Sequence, residues 1–328
     1  MAFPILVFIG MILGCAGVIR QMIRVGVMDV PGHRSSHTRP IPKGGGIGIM
    51  TAFVIGLPVL RLSLGLTPLS VPLGLTLGGV VLLAVFSWFD DIYSFPAVHK
   101  LSAQAVAALL VLLGADGFHG GALGWVLEGL GFIWLLYVTN ALNFIDGLNG
   151  LASGTMALSA AMAAFALFYG HDAEHGWTLA ALAVCLMTFL PFNFPRAAIF
   201  MGDVGSQGAG LMMGWAGLVC AVSLHDFLLM PVLLFGVLYD VAFTLIRRAF
   251  AGDSLMQAHR GHLYQIAART GVPAATITLT HWGFAAWGAF LDRAVTIPVV
   301  IVAGALLPQI LWTAFVVRRA RRCDIGRW

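Results

Sequence analysis

Apolar runs of roughly 16 to 24 residues follow one another along the whole of this chain, and that repetition restricts the fold more than any other feature. A hydrocarbon core about 30 Å thick is crossed by about 20 residues of helix, and the backbone inside it must satisfy its own hydrogen bonds. The runs show no period-two alternation, so helices are expected and strands are not. Eleven spans fall near 3–22, 46–64, 70–89, 101–116, 122–139, 151–170, 176–192, 208–223, 226–246, 273–291 and 294–317. The fold class is all-α, a polytopic membrane helix bundle of about eleven transmembrane helices. With 59% hydrophobic and 10% charged residues and a mean hydropathy of +0.93, the chain is too apolar for a soluble domain. Its polar stretches are too short for a core of their own, so residues 1–328 read as one integral-membrane domain.

Charge sets the expected orientation. With the N-terminus outside and the C-terminus in the cytosol, all 18 Lys and Arg residues except Arg61 and Arg293 fall on the cytosolic side, as the positive-inside rule requires. No cation precedes the first run, which is therefore expected to stay as an anchor and not to be cleaved as a signal peptide. The formal charge of +4 then describes a basic cytosolic face toward anionic lipids and substrates, with no nucleic acid as partner. Cys15, Cys185 and Cys220 lie in expected spans and Cys323 in the tail, a pattern of neither a disulfide framework nor a zinc site.

Polar residues gather on the same face, in the loops 23–45, 90–100, 140–150, 193–207 and 247–272. Asp90 and Asp91 end an apolar helix, where the helix dipole disfavours a carboxylate pair unless a metal ion or Lys100 offsets it; an ordinary solvated helix end is the alternative. Asp203, in Gly202-Asp-Val-Gly-Ser, can cap the next helix or serve an anion site beside backbone N–H groups. On a continuous helix Asn140, Asn143 and Asp146 share one arc with Gly147 and Gly150. That arc is either part of a site or an interhelical amide clamp. The first loop combines Arg34, His37, Arg39 and Lys43 with prolines and Gly44-Gly45-Gly46, suited to phosphate and to close backbone approach. His259 and His262, three apart, would share a helical face; without a third ligand, phosphate contact is preferred over metal. Asp240, inside a span, is open between a structural and a functional role.

Several of these segments resemble the signatures of the polyprenyl-phosphate N-acetylhexosamine-1-phosphate transferases of glycosyltransferase family 4. DVPGHRSSHTRPIPKGGGI, NALNFIDGLNG and FNFPRAAIFMGDVGS carry the likeness, which follows the branch that initiates O-antigen and enterobacterial common antigen. The resemblance implies a bacterial inner-membrane enzyme with a cytosolic site, which transfers a sugar 1-phosphate from a UDP-N-acetylhexosamine to undecaprenyl phosphate and releases UMP. It implies Mg2+, or Mn2+, as cofactor and a homodimer as assembly. It makes Asp90, Asp91 and Asp203 the catalytic candidates, with Asp203 and Asp91 as metal ligands. Phe200 would stack near the uracil, Asn193 would hold the nucleotide, and Asn143 and Asp146 would lie near the diphosphate. Arg34, His37, Lys43, Lys100, Asn140, His259, Arg260 and His262 complete the expected substrate contacts. His259-Arg260-Gly261-His262 departs from the triple histidine of the phospho-N-acetylmuramoyl-pentapeptide transferases, the alternative within the family. Asn149 stands where the family often has a second Asp.

The readings from other classes are weaker. An ion-coupled transporter would place ionisable groups near the midplane and show repeat halves, whereas the polar residues here are one-sided. Arg318-Arg-Ala-Arg-Arg322 serves orientation more simply than it serves a scaffold, and the compact signature of a CDP-alcohol phosphotransferase is absent.

Overall fold

The computed structural model describes residues 2–30, 39–115, 121–221, 223–254, 259–323 and 325. It is 80% helical. The helices in chain order are α1 (Ala2–Val25), α2 (Gly45–Ser63), α3 (Val71–Tyr93), α4 (Ala97–Gly114), α5 (Gly121–Phe144), α6 (Leu151–Tyr169), α7 (Ala173–Asn193), α8 (Gly202–Val219), α9 (Leu224–Leu233), α10 (Phe235–Phe250), α11 (Leu263–Arg269), α12 (Ala274–Ala294) and α13 (Pro298–Cys323). A small antiparallel ribbon between α1 and α2 pairs β1 (Met28–Asp29) with β2 (Ile41–Pro42), Asp29 opposite Ile41.

Every expected apolar run falls on helix, ten of the eleven on a single one, and the chain is an all-α, multi-pass membrane protein. The expected count of eleven is not reached on length and composition. Among the described residues α1 to α7 and α13 are long and apolar enough to cross a bilayer, which makes eight; α9 and α10 together make nine. Those two were expected as one span and are instead bent by 76° about Leu234. Pro231 lies three residues earlier and cannot donate to the helical ladder.

α8 falls short for a different reason. Its sequence, GDVGSQGAGLMMGWAGLV, is rich in glycine and carries Asp203 and Gln207, yet every residue from Val204 to Gly217 is buried. It packs against α5, α3 and α2, so protein surrounds it instead of lipid. At the opposite extreme, only 22% of the apolar windows of α1 and α13 is buried. Their exposed Ile, Leu and Phe side chains form the lipid-facing belt of the bundle.

The start of α2 meets the start of α8 through two glycines. A Cβ added at Gly46 would stand 2.2 Å from the backbone nitrogen of Gly205 and 2.4 Å from its Cα, so no side chain fits there. Gly44, at φ 101°, turns the chain from β2 into α2. Beyond it, Gly45 N donates to Phe200 O at 2.9 Å and Gly46 N to Met201 O at 2.8 Å, while Phe200 N donates to Pro42 O at 2.8 Å. The glycine run makes the close backbone approach expected of it, to another stretch of the chain's own backbone. Its first two helical N–H groups are already satisfied by protein.

Candidate active site

The termini of α3, α5, α7 and α8 and the strand-to-helix turn before α2 meet at one end of the bundle around a cavity of about 330 Å3. Of the residues singled out from sequence, Lys43, Asp91, Asn143, Asp146, Asn193, Phe200 and Asp203 line it. A larger cavity of about 420 Å3 lies at the opposite end, where buried Arg61 pairs with Glu174 at 2.7 Å. Its lining carries a single carboxylate, Glu174, where the smaller cavity carries four.

Asp90 and Asp91 are neighbours on a helix and therefore point about 100° apart. Asp90 is buried, with one oxygen 2.5 Å from Lys100 Nζ and the other accepting from Phe95 N at 2.8 Å. Both oxygens are engaged, and neither Asp90 nor Lys100 lines the cavity. Asp91 turns the other way. Its Oδ1 takes a hydrogen bond from Lys43 Nζ at 3.0 Å, and the same ammonium reaches Asp91 O at 2.8 Å. Its Oδ2 is buried without a hydrogen-bond partner. A Cβ at Gly202 would lie 3.1 Å from that oxygen.

Asp203 occupies the first turn of α8, as expected, but caps nothing with its side chain. Asn143 Nδ2 donates to Asp203 Oδ1 at 3.1 Å and to Ser206 Oγ at 2.9 Å, and Gln207 Nε2 donates to Asp203 Oδ2 at 3.0 Å. Asp146 completes the carboxylate wall. Burial first, and then the nearby carboxylates of Asp203 and Asp91, hold its carboxyl well above the usual range. Asn193 is a buried clamp beneath them, accepting from Gly150 N at 2.6 Å and donating to Ile199 O at 3.0 Å. Asn149 ties the same two loops together through Pro195 O at 3.2 Å and lines the cavity as an amide.

The polar arc read from sequence is divided by the structure. α5 ends at Phe144, so Asn140 lies on a regular helix while Asp146 lies in the turn beyond it. Asn140 faces α4 and exchanges hydrogen bonds with Gln104 at 2.8 and 3.2 Å; it is an interhelical clamp and does not line the cavity. Asn143 and Asp146 do line it.

The basic loop before α11 departs from expectation in the same way. His259 and His262 are not on a shared helix, because His262 is the N-cap of α11. Their rings face each other with centroids 4.9 Å apart. His262 is buried and turns inward, its Nδ1 3.4 Å from Asp240 Oδ1. His259 is held near pKa 4 by burial and by the adjacent His262, Arg248 and Arg247, so at neutral pH it is an uncharged hydrogen-bonding ring and not a cation. His259, Arg260 and His262 are outside the cavity lining. Arg34 and His37 lie outside the described residues. Asp240 is now accounted for: it accepts from Leu263 N at 2.8 Å and Tyr264 N at 3.0 Å, the first backbone donors of α11. That helix presents Tyr264, whose hydroxyl donates to Phe144 O at 2.9 Å and seats against Gly147.

Asp29, in β1, also lines the cavity. Its signal in the sequence is the first letter of DVPGHR, ahead of the cations that dominate that loop. Gln104, Gln207 and Tyr264 had no signal of their own, since each acts across helices far apart in sequence. Counting Asp29, Asp91, Asp146 and Asp203 against Lys43, the described lining carries four carboxylates and one ammonium. Such a set suits a hard divalent cation, which prefers oxygen ligands, and the unpartnered Asp91 Oδ2 is free to accept one. No three carboxylate, imidazole or thiol groups among the described residues stand at metal-ligand spacing.

Phe89 and Tyr93, on either side of the cavity-lining Asp91 in the last turns of α3, are exposed. The sequence profile of glycosyl transferase family 4 matches residues 73–221. The chain is 30% identical over 259 residues to a Bacillus subtilis protein named "Probable undecaprenyl-phosphate N-acetylglucosaminyl 1-phosphate transferase", covering 75% of this chain and 70% of that one. It is 28% identical over 269 residues to the undecaprenyl-phosphate alpha-N-acetylglucosaminyl 1-phosphate transferase of Salmonella typhi, covering 76% and 71%. A phospho-N-acetylmuramoyl-pentapeptide-transferase of Lacticaseibacillus paracasei is 30% identical over 187 residues, which is 49% of this chain and 54% of that one. The chain belongs to glycosyl transferase family 4.

Proposed function

We propose that the protein is a polyprenyl-phosphate sugar-1-phosphate transferase that joins an N-acetylhexosamine 1-phosphate, from its UDP-sugar, to undecaprenyl phosphate. A phosphate oxygen of the lipid attacks the sugar-linked phosphorus, the bond from that phosphorus to the bridging oxygen breaks, and UMP leaves with the electron pair. The products are UMP and undecaprenyl-diphospho-sugar. The donor is UDP-N-acetylglucosamine or a 6-deoxy relative such as UDP-QuiNAc or UDP-FucNAc, and the reaction opens the assembly of a surface polysaccharide.

One observation carries this reading: Asp91, Asp146 and Asp203 face one cavity with Lys43 as its only cation among the described lining residues. An anionic diphosphate entering such a cavity needs added positive charge. Mg2+ would be held by Asp91 and Asp203, and when bound it would supply charge neutralisation to the diphosphate oxygens. Lys43 secures Asp91, and Asn143 fixes Asp203 and Ser206 together. Phe200 offers its ring to the base, and the Asn149 amide and Asn193 shape the floor. A phosphate monoester has its second pKa near ~6, so the acceptor is largely dianionic at neutral pH and needs no strong base. This agrees with an Asp90 that is committed to Lys100 and Phe95 N. The positive-inside charge pattern supports a site on the cytosolic face of the inner membrane.

The test is to incubate purified protein with undecaprenyl phosphate, Mg2+ and a panel of UDP-sugars, then identify the nucleotide and the lipid product by mass spectrometry. UMP with a diphospholipid is expected. UDP with a monophospholipid would exclude the reaction.

A further inference from the structure

Both oxygens of Asp203 are engaged by amide N–H donors, and one of those donors is the end of a chain. Gln207 Nε2 donates to Asp203 Oδ2 at 3.0 Å; Gln104 Nε2 donates to Gln207 Oε1 at 3.0 Å and to Asn140 Oδ1 at 3.2 Å. Asn140 Nδ2 donates to Gln104 Oε1 at 2.8 Å and to Leu136 O at 2.8 Å. The chain crosses α8, α4 and α5. Its direction is fixed at both ends, because an ionised carboxylate and a backbone carbonyl can only accept. Gln207 must therefore present nitrogen to Asp203 and oxygen to Gln104, and Asn140 must present nitrogen to Leu136 O. The two constraints agree on a single orientation for every amide between them. None of these amides titrates, so the direction does not reverse with pH.

Burying glutamine is costly unless its amide is paired. Gln104 is 5% exposed and Gln207 4%, and both amides are paired. The geometry points to Gln207 and Gln104 as positioning residues for Asp203: they hold its carboxylate in one rotamer as a pure acceptor and leave its remaining lone pairs for a ligand. Gln104 does so without lining the cavity. The inference rests on the proposed role of Asp203 as a cation ligand. Supporting hydrogen bonds of this kind typically change metal affinity or activity by about 10- to 100-fold when removed.

The test uses Q207M and Q104M, which keep side-chain length and remove the amide, the double variant, and D203N as reference. Mn2+ binding to detergent-solubilised protein is read by electron paramagnetic resonance, beside the half-saturating Mg2+ for UMP release and the melting temperature. Q207M should weaken Mn2+ binding and raise the Mg2+ requirement by about 10- to 100-fold. Q104M should shift both the same way by less, and the double variant should match Q207M, because Gln104 acts only through Gln207. Unchanged metal constants in Q207M or Q104M overturn the inference, as does a loss of activity that merely follows the melting temperature. Should Q207M fail to accumulate, Q104M carries the same comparison. D203N separates the two levels. If D203N itself leaves Mn2+ binding intact, the cation role of Asp203 is wrong; if D203N abolishes binding while Q207M does not, the amide chain is only structural.

Discussion

Gly147→Ala tests how the loop bearing Asp146 is seated. The added Cβ would lie 2.3 Å from Tyr264 Oη and 3.2 Å from Cε2 and Cζ, about 1 Å inside ordinary contact for the oxygen. Tyr264 cannot step aside: it is 2% exposed, its hydroxyl is bonded to Phe144 O, and its backbone N–H is held by Asp240. Overpacking of this kind costs about 1–3 kcal/mol, offset by the ~0.4–1 kcal/mol that replacing glycine takes from the unfolded chain. A net loss of about 1–2 kcal/mol is expected. Tyr264→Phe alone loses the bond to Phe144 O, worth about 0.5–1.5 kcal/mol. The double variant has no oxygen to collide with, so it should be close in stability to Tyr264→Phe and not reach the sum of the two losses. Turnover should follow the same pattern, since displacing Asp146 by about 1 Å can cost on the order of 100-fold. Melting temperature in detergent and UMP release, measured for all four proteins, decide the matter. Additive losses, or a Gly147→Ala protein as stable and active as the parent, would refute the seating of this loop on Tyr264.

Asp146 predicts a pH effect with a definite sign. Its folded pKa is raised, so the stability of the ligand-free protein is full below the ordinary carboxylate value of ~4 and declines as pH rises through the raised value. Asp146→Asn cannot ionise, so thermal melting across a pH series should show the variant gaining on the parent as pH rises; parallel curves would remove the buried carboxyl from the argument. Asp240→Asn should cost about 1.5–3 kcal/mol by weakening charge-assisted bonds to the start of α11 and should expose Arg260 to trypsin, read by limited proteolysis. Orientation is checked in a Cys323→Ser background: Ser94→Cys should react with an impermeant thiol reagent only from the cytosolic side and Ala173→Cys only from outside. Labelling of Ser94→Cys from outside would invert the bundle.

The apolar runs disclosed the helices because hydropathy is a property of contiguous residues. The convergence of Asp91, Asn143, Asp146 and Asp203 was legible because their loops were placed on one face by charge. What sequence could not disclose is which way a polar side chain turns. Asp90 and Asp91 read as one pair, yet one helical step sends them to Lys100 and to Lys43. Asn140 and Asn143 read as one arc, but the helix stops at Phe144, and one side chain braces α4 while the other meets Asp203. His262 carried the spacing of a ligand-binding residue and proved to be an N-cap turned toward Asp240. Lys100, ten residues on, was an expected partner of the pair and does meet Asp90; Lys43, Gln104, Asp203 and Asp240 are tertiary partners more distant in sequence, and spacing alone contains no information about them.

The burial of α8 bears on how the protein enters its membrane. A segment carrying Gln207 among many glycines, with Asp203 in its first turn, is less apolar than its neighbours and poorly retained by lipid alone. In the finished bundle that helix never meets lipid over Val204–Gly217, because α2, α3 and α5 enclose it. These three precede it in the chain and are apolar enough to insert by themselves. Order of synthesis therefore matters: the helices emerging first form the polar-tolerant groove that receives the helix bearing Asp203, and a chain rearranged to make α8 first would have to insert it with no such groove in place.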